Sequence, residues 1–157
     1  MVVTNQEGGY MPEIFSREWY QAISAQTNST DELKKKAPPG EWRMAMEVVG
    51  DGKSPYVPLG DTKNIFIRLL DGVLVEYREL PEKIPGKQLQ YRFTGAASVF
   101  EGIAAGLIDP VAAGLSGAIA IRGDMRLLMQ HTELMDVIYT MYVANNPTDW
   151  PKGKPPY

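Results

Sequence analysis

The chemistry open to this chain is narrow. It contains no cysteine and one histidine, His131. That removes disulfides, thiol catalysis, iron–sulfur clusters and cysteine zinc sites together. A histidine-based triad would have to use His131, whose sequence neighbours supply no evident partner for a general base. Glu101, Asp109 and Asp124 are carboxylates that a pocket could hold. Asp109 precedes Pro110 and Asp124 precedes an apolar run, so both read first as helix caps. Arg122-Gly123-Asp124 spells an integrin-type tripeptide but reads as a strand end followed by a cap. Asn28-Ser29-Thr30 matches a glycosylation acceptor, which only a secreted chain would use. Gly114-Leu115-Ser116-Gly117 lacks the spacing of a nucleophile elbow. No phosphate-binding loop motif occurs. Lys34-Lys35-Lys36 reads as a solvated helix end, able at most to make a weak, transient contact with anionic lipid. An enzyme acting through Asp124 or His131 is therefore the weakest reading, and no catalytic residue, metal or cofactor is expected.

Composition sets the frame for these residues. The chain has 157 residues, 44% hydrophobic and 22% charged, with 15 Gly and 12 Pro. This suits one globular domain with its own core and excludes disorder throughout. A net charge of −3 argues against nucleic-acid binding by broad phosphate neutralisation. A membrane span needs ~20 apolar residues. The longest charge-free apolar stretch, Pro110 to Ile121, is too short and holds Pro and Gly. The start of the chain lacks a signal-peptide pattern. A cytoplasmic protein is expected.

The elements follow from periodicity and punctuation. Residues 1–12 are expected to be a flexible N-terminus. Ser16 begins a helix, with Phe15 positioned to staple onto Tyr20, and with Trp19, Tyr20 and Ile23 on one face. Ser29-Thr30-Asp31-Glu32 reads as a capping box that opens a short helix to Lys36. Trp42, Met44, Met46 and Val48 then alternate with Glu41, Arg43 and Glu47, the pattern of a half-buried strand. Ile65, Ile67 and Leu69 alternate with Phe66, Arg68 and Leu70 in a strand apolar on both faces. Asp71-Gly72 predicts a hairpin to Val73, Val75 and Tyr77. Leu89, Tyr91 and Phe93 mark a fourth strand. Val99, Phe100, Ile103, Ala104 and Leu107 share a helical face. A short helix follows Asp109, a fifth strand covers Gly117 to Arg122, and Asp124 caps a last helix. The order predicts an α+β fold: one mainly antiparallel, meander-like sheet with helices mainly on one face. The domain is expected over 13–144, with a Pro-rich arm over 145–157.

One feature is left over, a surplus of apolar surface. Met125, Leu127, Leu128 and Met129, then Leu134, Met135, Ile138, Met141 and Tyr142, exceed what covers one sheet face. Methionine adapts to variable apolar partners. Ordinary core packing explains such a stripe too, and pattern alone favours it. The Val99 to Leu107 helix is rich in Ala and Gly, so small residues facing large ones could leave a cavity.

The segments Tyr91-Arg92-Phe93-Thr94-Gly95, Ser98 to Gly106, Ile108 to Ala113 and Ser116 to Met125 follow an ordered pattern. A strand leads to a helix ending near Gly, then to an Asp-Pro turn, a short helix, and a strand ending in a basic residue, Gly and Asp. As a set they resemble the sterol carrier protein type two family, over roughly Glu41 to Val143. The ending Lys154-Pro155-Pro156-Tyr157 differs from a peroxisomal address such as Ser-Lys-Leu. The resemblance implies a five-stranded, mainly antiparallel sheet covered by helices, with an apolar tunnel between them. It implies non-catalytic binding and carriage of fatty acid, fatty acyl-CoA, sterol-like lipid or phospholipid. From the strand and helix faces, the expected lining is Phe66, Leu70, Phe93, Phe100, Ile103, Leu107, Leu128, Met129, Met135 and Ile138. The rival reading is an interaction domain. Its Thr132 to Val143 stretch would form a homodimer face or present a hydrophobic substrate to a partner enzyme.

Overall fold

The computed structural model describes residues 11–131 and 147–157. Helix α1 (Arg17–Asn28) starts where a side-chain oxygen can accept a free N–H: Ser16 Oγ accepts from the Trp19 amide at 3.1 Å. Trp19, Tyr20 and Ile23 form its buried face. The staple differs from expectation. Phe15 has a left-handed backbone (φ 63°) and packs edge-on against Trp19, ring centroids 5.6 Å apart, rather than on Tyr20. Helix α2 (Glu32–Lys36) also begins differently. Asp31 is its cap residue but makes no side-chain capping bond, so the box at Ser29 does not form.

Strands β1 (Glu41–Val49), β2 (Thr62–Leu70), β3 (Val73–Leu80), β4 (Tyr91–Ala96) and β5 (Ile119–Gly123) form one mixed sheet in the order β3-β2-β1-β4-β5. The expected α+β class is the class found, with three of the four strand pairings antiparallel. The meander extends only through β3. Asp71 (φ 48°) and Gly72 (φ 79°) supply the two left-handed residues of a type I′ hairpin between β2 and β3. With Glu76, Arg78 and Glu79, β3 suits an exposed edge. The chain then crosses the sheet through residues 81–90 and enters β4 on the far side of β1, parallel to it. Ile84 and Leu89 make this crossing apolar by packing with Ala45, Phe66 and Leu80. That cover is why β1 is not half-buried: Ala45 is 1% and Glu47 7% exposed.

The other sheet face carries the main core. Trp42, Met44, Met46 and Val48 of β1 lie beside Ile65, Ile67 and Leu69 of β2 and Tyr91 and Phe93 of β4. Each such aliphatic side chain taken from water gives ~1.5–3 kcal/mol. Helix α1 packs on β3, α3 (Ala97–Ala104) on β4 and β1, and α4 (Pro110–Ser116) on β5. Asp109 caps α4 through the Ala112 amide at 3.3 Å, and Asp124 caps α5 (Met125–Gln130) through the Leu127 amide at 3.1 Å.

Residues 147–157 lie along the body of the domain. The Asp149 backbone accepts from the Ile14 amide at 3.0 Å and donates to the Pro12 carbonyl at 2.9 Å. The Trp19 indole N–H donates to Thr148 Oγ1 at 3.0 Å. Trp150 packs edge-on against Tyr56, whose hydroxyl donates to the Gly153 carbonyl at 2.8 Å.

Candidate functional site

The helix-facing side of the sheet brings together four of the ten residues singled out in the sequence. Phe93 from β4, Phe100 and Ile103 from α3, and Leu128 from α5 all belong to the main core and are at most 4% exposed. Strand alternation points Phe93 at the helices, and the helical repeat returns Phe100 and Ile103 to the same side.

Phe66 and Leu70 do not join them. They have the opposite parity to Ile65, Ile67 and Leu69, so they point away from the helices. Phe66 is buried under the crossing with Ile84, and Leu70 is 40% exposed. The apolar character of both faces of β2 serves two separate clusters. Leu107 departs from its expected place for a different reason. Helix α3 stops at Ala104, and Gly106 takes a left-handed φ of 77°. The Leu107 and Gly106 amides turn back onto the Gly102 and Ile103 carbonyls at 2.8 and 3.0 Å, the double bond of a Schellman ending. Leu107 is thereby 56% exposed, and Met129, on α5, is 73% exposed. Met135 and Ile138 lie outside the described residues, as does the stretch from Thr132 to Val143.

The exposed apolar side chains are not scattered. Leu107, Val111, Leu115, Met125 and Met129 are half of the ten large apolar residues exposed among the described residues, and all fall between 107 and 129. They sit on the elements that follow Phe100 and Ile103 and precede or carry Leu128. Sequence reading missed Val111 and Leu115. Their exposure follows from α4 burying only Ala113 of its seven residues, which the sequence did not show.

The polar candidates resolve into structural roles. Glu101 is fully buried, and its carboxylate accepts hydrogen bonds from Ser54 Oγ at 2.6 Å and the Tyr157 hydroxyl at 2.7 Å. Burial pushes its pKa above the ordinary carboxyl value; the two hydrogen bonds oppose that rise and the Asp51 charge adds to it. Asp51 moves the other way. Burial would raise it, but the Ser98 hydroxyl and the Ser54 and Lys53 amides outweigh that and hold it low. Together these groups tie the loop after β1 to α3 and to residue 157. His131 ends α5 with its ring edge-on to Trp42, centroids 6.5 Å apart. Lys36 forms an exposed pair with Glu32 at 3.8 Å. Among the described residues, no group of three or more His, Asp or Glu could hold a metal, and no helix is long and apolar enough to cross a membrane.

The solved structures place this architecture. The chain superposes on the crystal structure of sterol carrier protein 2 with a TM-score of 0.69, over 84% of this chain and 98% of that one, at 15% identity. The chain has the fold of sterol carrier protein 2. A conserved hypothetical protein of Thermus thermophilus, considered a candidate sterol carrier protein, superposes with a TM-score of 0.58. That match is 15% identical and covers 86% of this chain and 94% of the other. No protein-family model and no curated protein sequence matches the chain. Val111 and Leu115 lie on α4, which packs on β5, and Met125 and Met129 on α5, which follows β5.

Proposed function

We propose that this chain is a non-catalytic lipid-binding domain that takes a fatty acyl or similarly extended apolar ligand between its helices and sheet. The observation that carries this reading is the run of exposed apolar side chains between 107 and 129, on the elements that follow the buried Phe100 and Ile103 and that carry the buried Leu128. The sterol-carrier fold supports it. On this reading Leu107 and Met129 are the entrance, and Phe93, Phe100, Ile103 and Leu128 are the wall that a ligand contacts on opening the helical layer. Fatty acid, fatty acyl-CoA, sterol-like lipid and phospholipid all satisfy the same physical requirement. Each CH₂ removed from water contributes ~0.8 kcal/mol, so twelve carbons provide roughly 10 kcal/mol before the entropy cost of binding.

The test is native mass spectrometry of freshly purified protein, with organic extraction of what is released, followed by titration with a fluorescent fatty acid. Binding of about one acyl chain per protein is expected, and Met129→Asp together with Leu107→Asp should weaken it about tenfold or more with the fold unchanged by circular dichroism. A wild-type protein that carries no lipid and fails to bind the fluorescent fatty acid would overturn the reading. Concentration-dependent sedimentation would then show whether the same patch joins two copies of the chain.

A further inference from the structure

The face of the sheet away from the main core, partly covered by the 81–90 crossing, carries a charge pattern that lipid binding does not use. Two pairs of arginines lie directly opposite one another on neighbouring strands: Arg43 with Arg68, and Arg92 with Arg122. Like charges facing each other across a strand pair destabilise the sheet unless something neutralises them. At the first pair the protein supplies the counter-ion. Glu41 reaches both guanidinium groups, Arg43 at 3.6 Å and Arg68 at 3.1 Å, and Glu76 adds a second bond to Arg68 at 2.9 Å.

The second pair is treated differently. Glu47, itself buried, pairs with Arg92, lies 3.9 Å from the exposed Lys83 ammonium and accepts from Thr94 Oγ1 at 3.0 Å. Arg92 also donates to the Ile84 carbonyl, so its guanidinium is fixed in place with a side chain only 11% exposed. Among the described residues, no carboxylate lies within ion-pair distance of Arg122, which is exposed. A groove of about 610 Å³ opens between these residues, lined by Lys83, Arg92, Arg122, Thr94 and Glu47 with the backbone of Gly86 and Gly123. Three of its charged groups are cationic and one is anionic. Gly123 lets β5 close on β4: a Cβ there would lie 2.4 Å from the Gln90 carbonyl oxygen and from the Tyr91 ring. The Arg122-Gly123 half of the tripeptide noted in the sequence thus forms one side of a cationic groove.

We propose that this groove binds a phosphate or diphosphate group, held between Arg122 and Lys83 against the fixed guanidinium of Arg92. Phosphate matches the forked geometry of arginine, and the anion supplies at Arg122 the counter-charge that Glu47 supplies at Arg92 and Glu41 at Arg43 and Arg68. The groove's volume leaves room for an organic substituent on the phosphate. The site lies on the opposite sheet face from the apolar cluster and does not depend on the lipid reading.

Inorganic pyrophosphate titrated into the full-length protein by calorimetry is the direct probe. Co-sedimentation with vesicles of equimolar phosphatidylcholine and phosphatidic acid, against phosphatidylcholine alone, tests the same chemistry on a lipid headgroup. Arg122→Gln and Lys83→Gln remove one cation each. Arg126→Gln, on α5 outside the groove, is the control. Arg122→Gln is expected to weaken binding about tenfold, the loss of a charge-assisted contact, and Lys83→Gln to weaken it less, since Lys83 is 71% exposed. Pyrophosphate should also raise the melting temperature of the wild type more than that of Arg122→Gln at the same concentration. Binding to pyrophosphate assigns the site to a soluble phosphate, and binding to vesicles alone assigns it to a headgroup. Absence of both would overturn the proposal. So would equal weakening by Arg126→Gln, or binding indifferent to both Arg122→Gln and Lys83→Gln.

Discussion

Tyr157 is joined to the interior by one bond whose removal can be followed in two ways. Its hydroxyl donates to the fully buried Glu101 carboxylate at 2.7 Å, and Ser54 Oγ supplies the other contact at 2.6 Å. Tyr157→Phe deletes the phenol oxygen and keeps the ring. A hydrogen bond to a charged group contributes ~1.5–3 kcal/mol. Tyr157 is 47% exposed, so solvent screens the pair and the low end applies, about 1.5 kcal/mol. For a domain of this size that loss is a drop of about 3–6 °C in melting temperature. The cost should also depend on pH. Burial raises the folded pKa of Glu101 above its unfolded value, so the folded state holds the proton more tightly. The stability this gives is complete below the unfolded carboxyl pKa and is lost as pH rises through the folded value. Glu101→Gln cannot ionise, so its stability relative to the wild type should rise from acid toward neutral pH. The Tyr157→Phe deficit should grow over the same window, because the phenol stabilises the ionised carboxylate most. Urea unfolding of the three proteins across that pH range is the assay. A Tyr157→Phe protein as stable as the wild type at neutral pH, or a deficit that does not change with pH, would refute the reasoning.

Two further outcomes follow from the backbone. Gly50→Ala should destabilise the fold by ~1–3 kcal/mol or more, because a Cβ at position 50 would lie 1.9 Å from the Pro58 carbonyl oxygen; an unchanged urea midpoint would mean that the 50–58 loop yields freely. Ser16→Ala should cost about 1 kcal/mol and Ser16→Gly only a few tenths, since the side chain accepts from the Trp19 amide; thermal melts that rank the two variants in the reverse order would sink the capping account.

Local signals in the sequence were read by the same physics that the chain uses. Ser16, Asp109 and Asp124 cap helices because each has an acceptor oxygen placed beside unpaired amides. Asp71-Gly72 makes a hairpin because those two residue types tolerate positive φ. Alternation gave the inward side of β1, since parity along a strand is a covalent property of the backbone. Strand β2, apolar on both faces, offered no such distinction, and Phe66 and Leu70, expected in the lining, lie on the wrong side for it. The α+β class followed from the order of such elements.

Tertiary structure decided what lies beside what. Parity shows that Phe66 and Ile67 point to opposite faces, but not that residues 81–90 cross the sheet and bury Phe66 under Ile84. The parallel β1–β4 pairing depends on that same crossing, and the facing of Arg92 by Arg122 on the return of β5 beside β4 after α3 and α4. Phe93, Phe100, Ile103 and Leu128 each carry a periodic apolar signal and are buried in the main core, whereas the ending of α3 at Gly106 carried Leu107 out of it. Glu101 read in the sequence as an isolated carboxylate. Only folding brings Ser54 and Tyr157 to it, from 47 residues before and 56 after. Periodicity and capping are set within a few residues by bond geometry, so the sequence alone determines them. A counter-ion, a cover or a groove wall comes from distant chain, and only the folded arrangement supplies it.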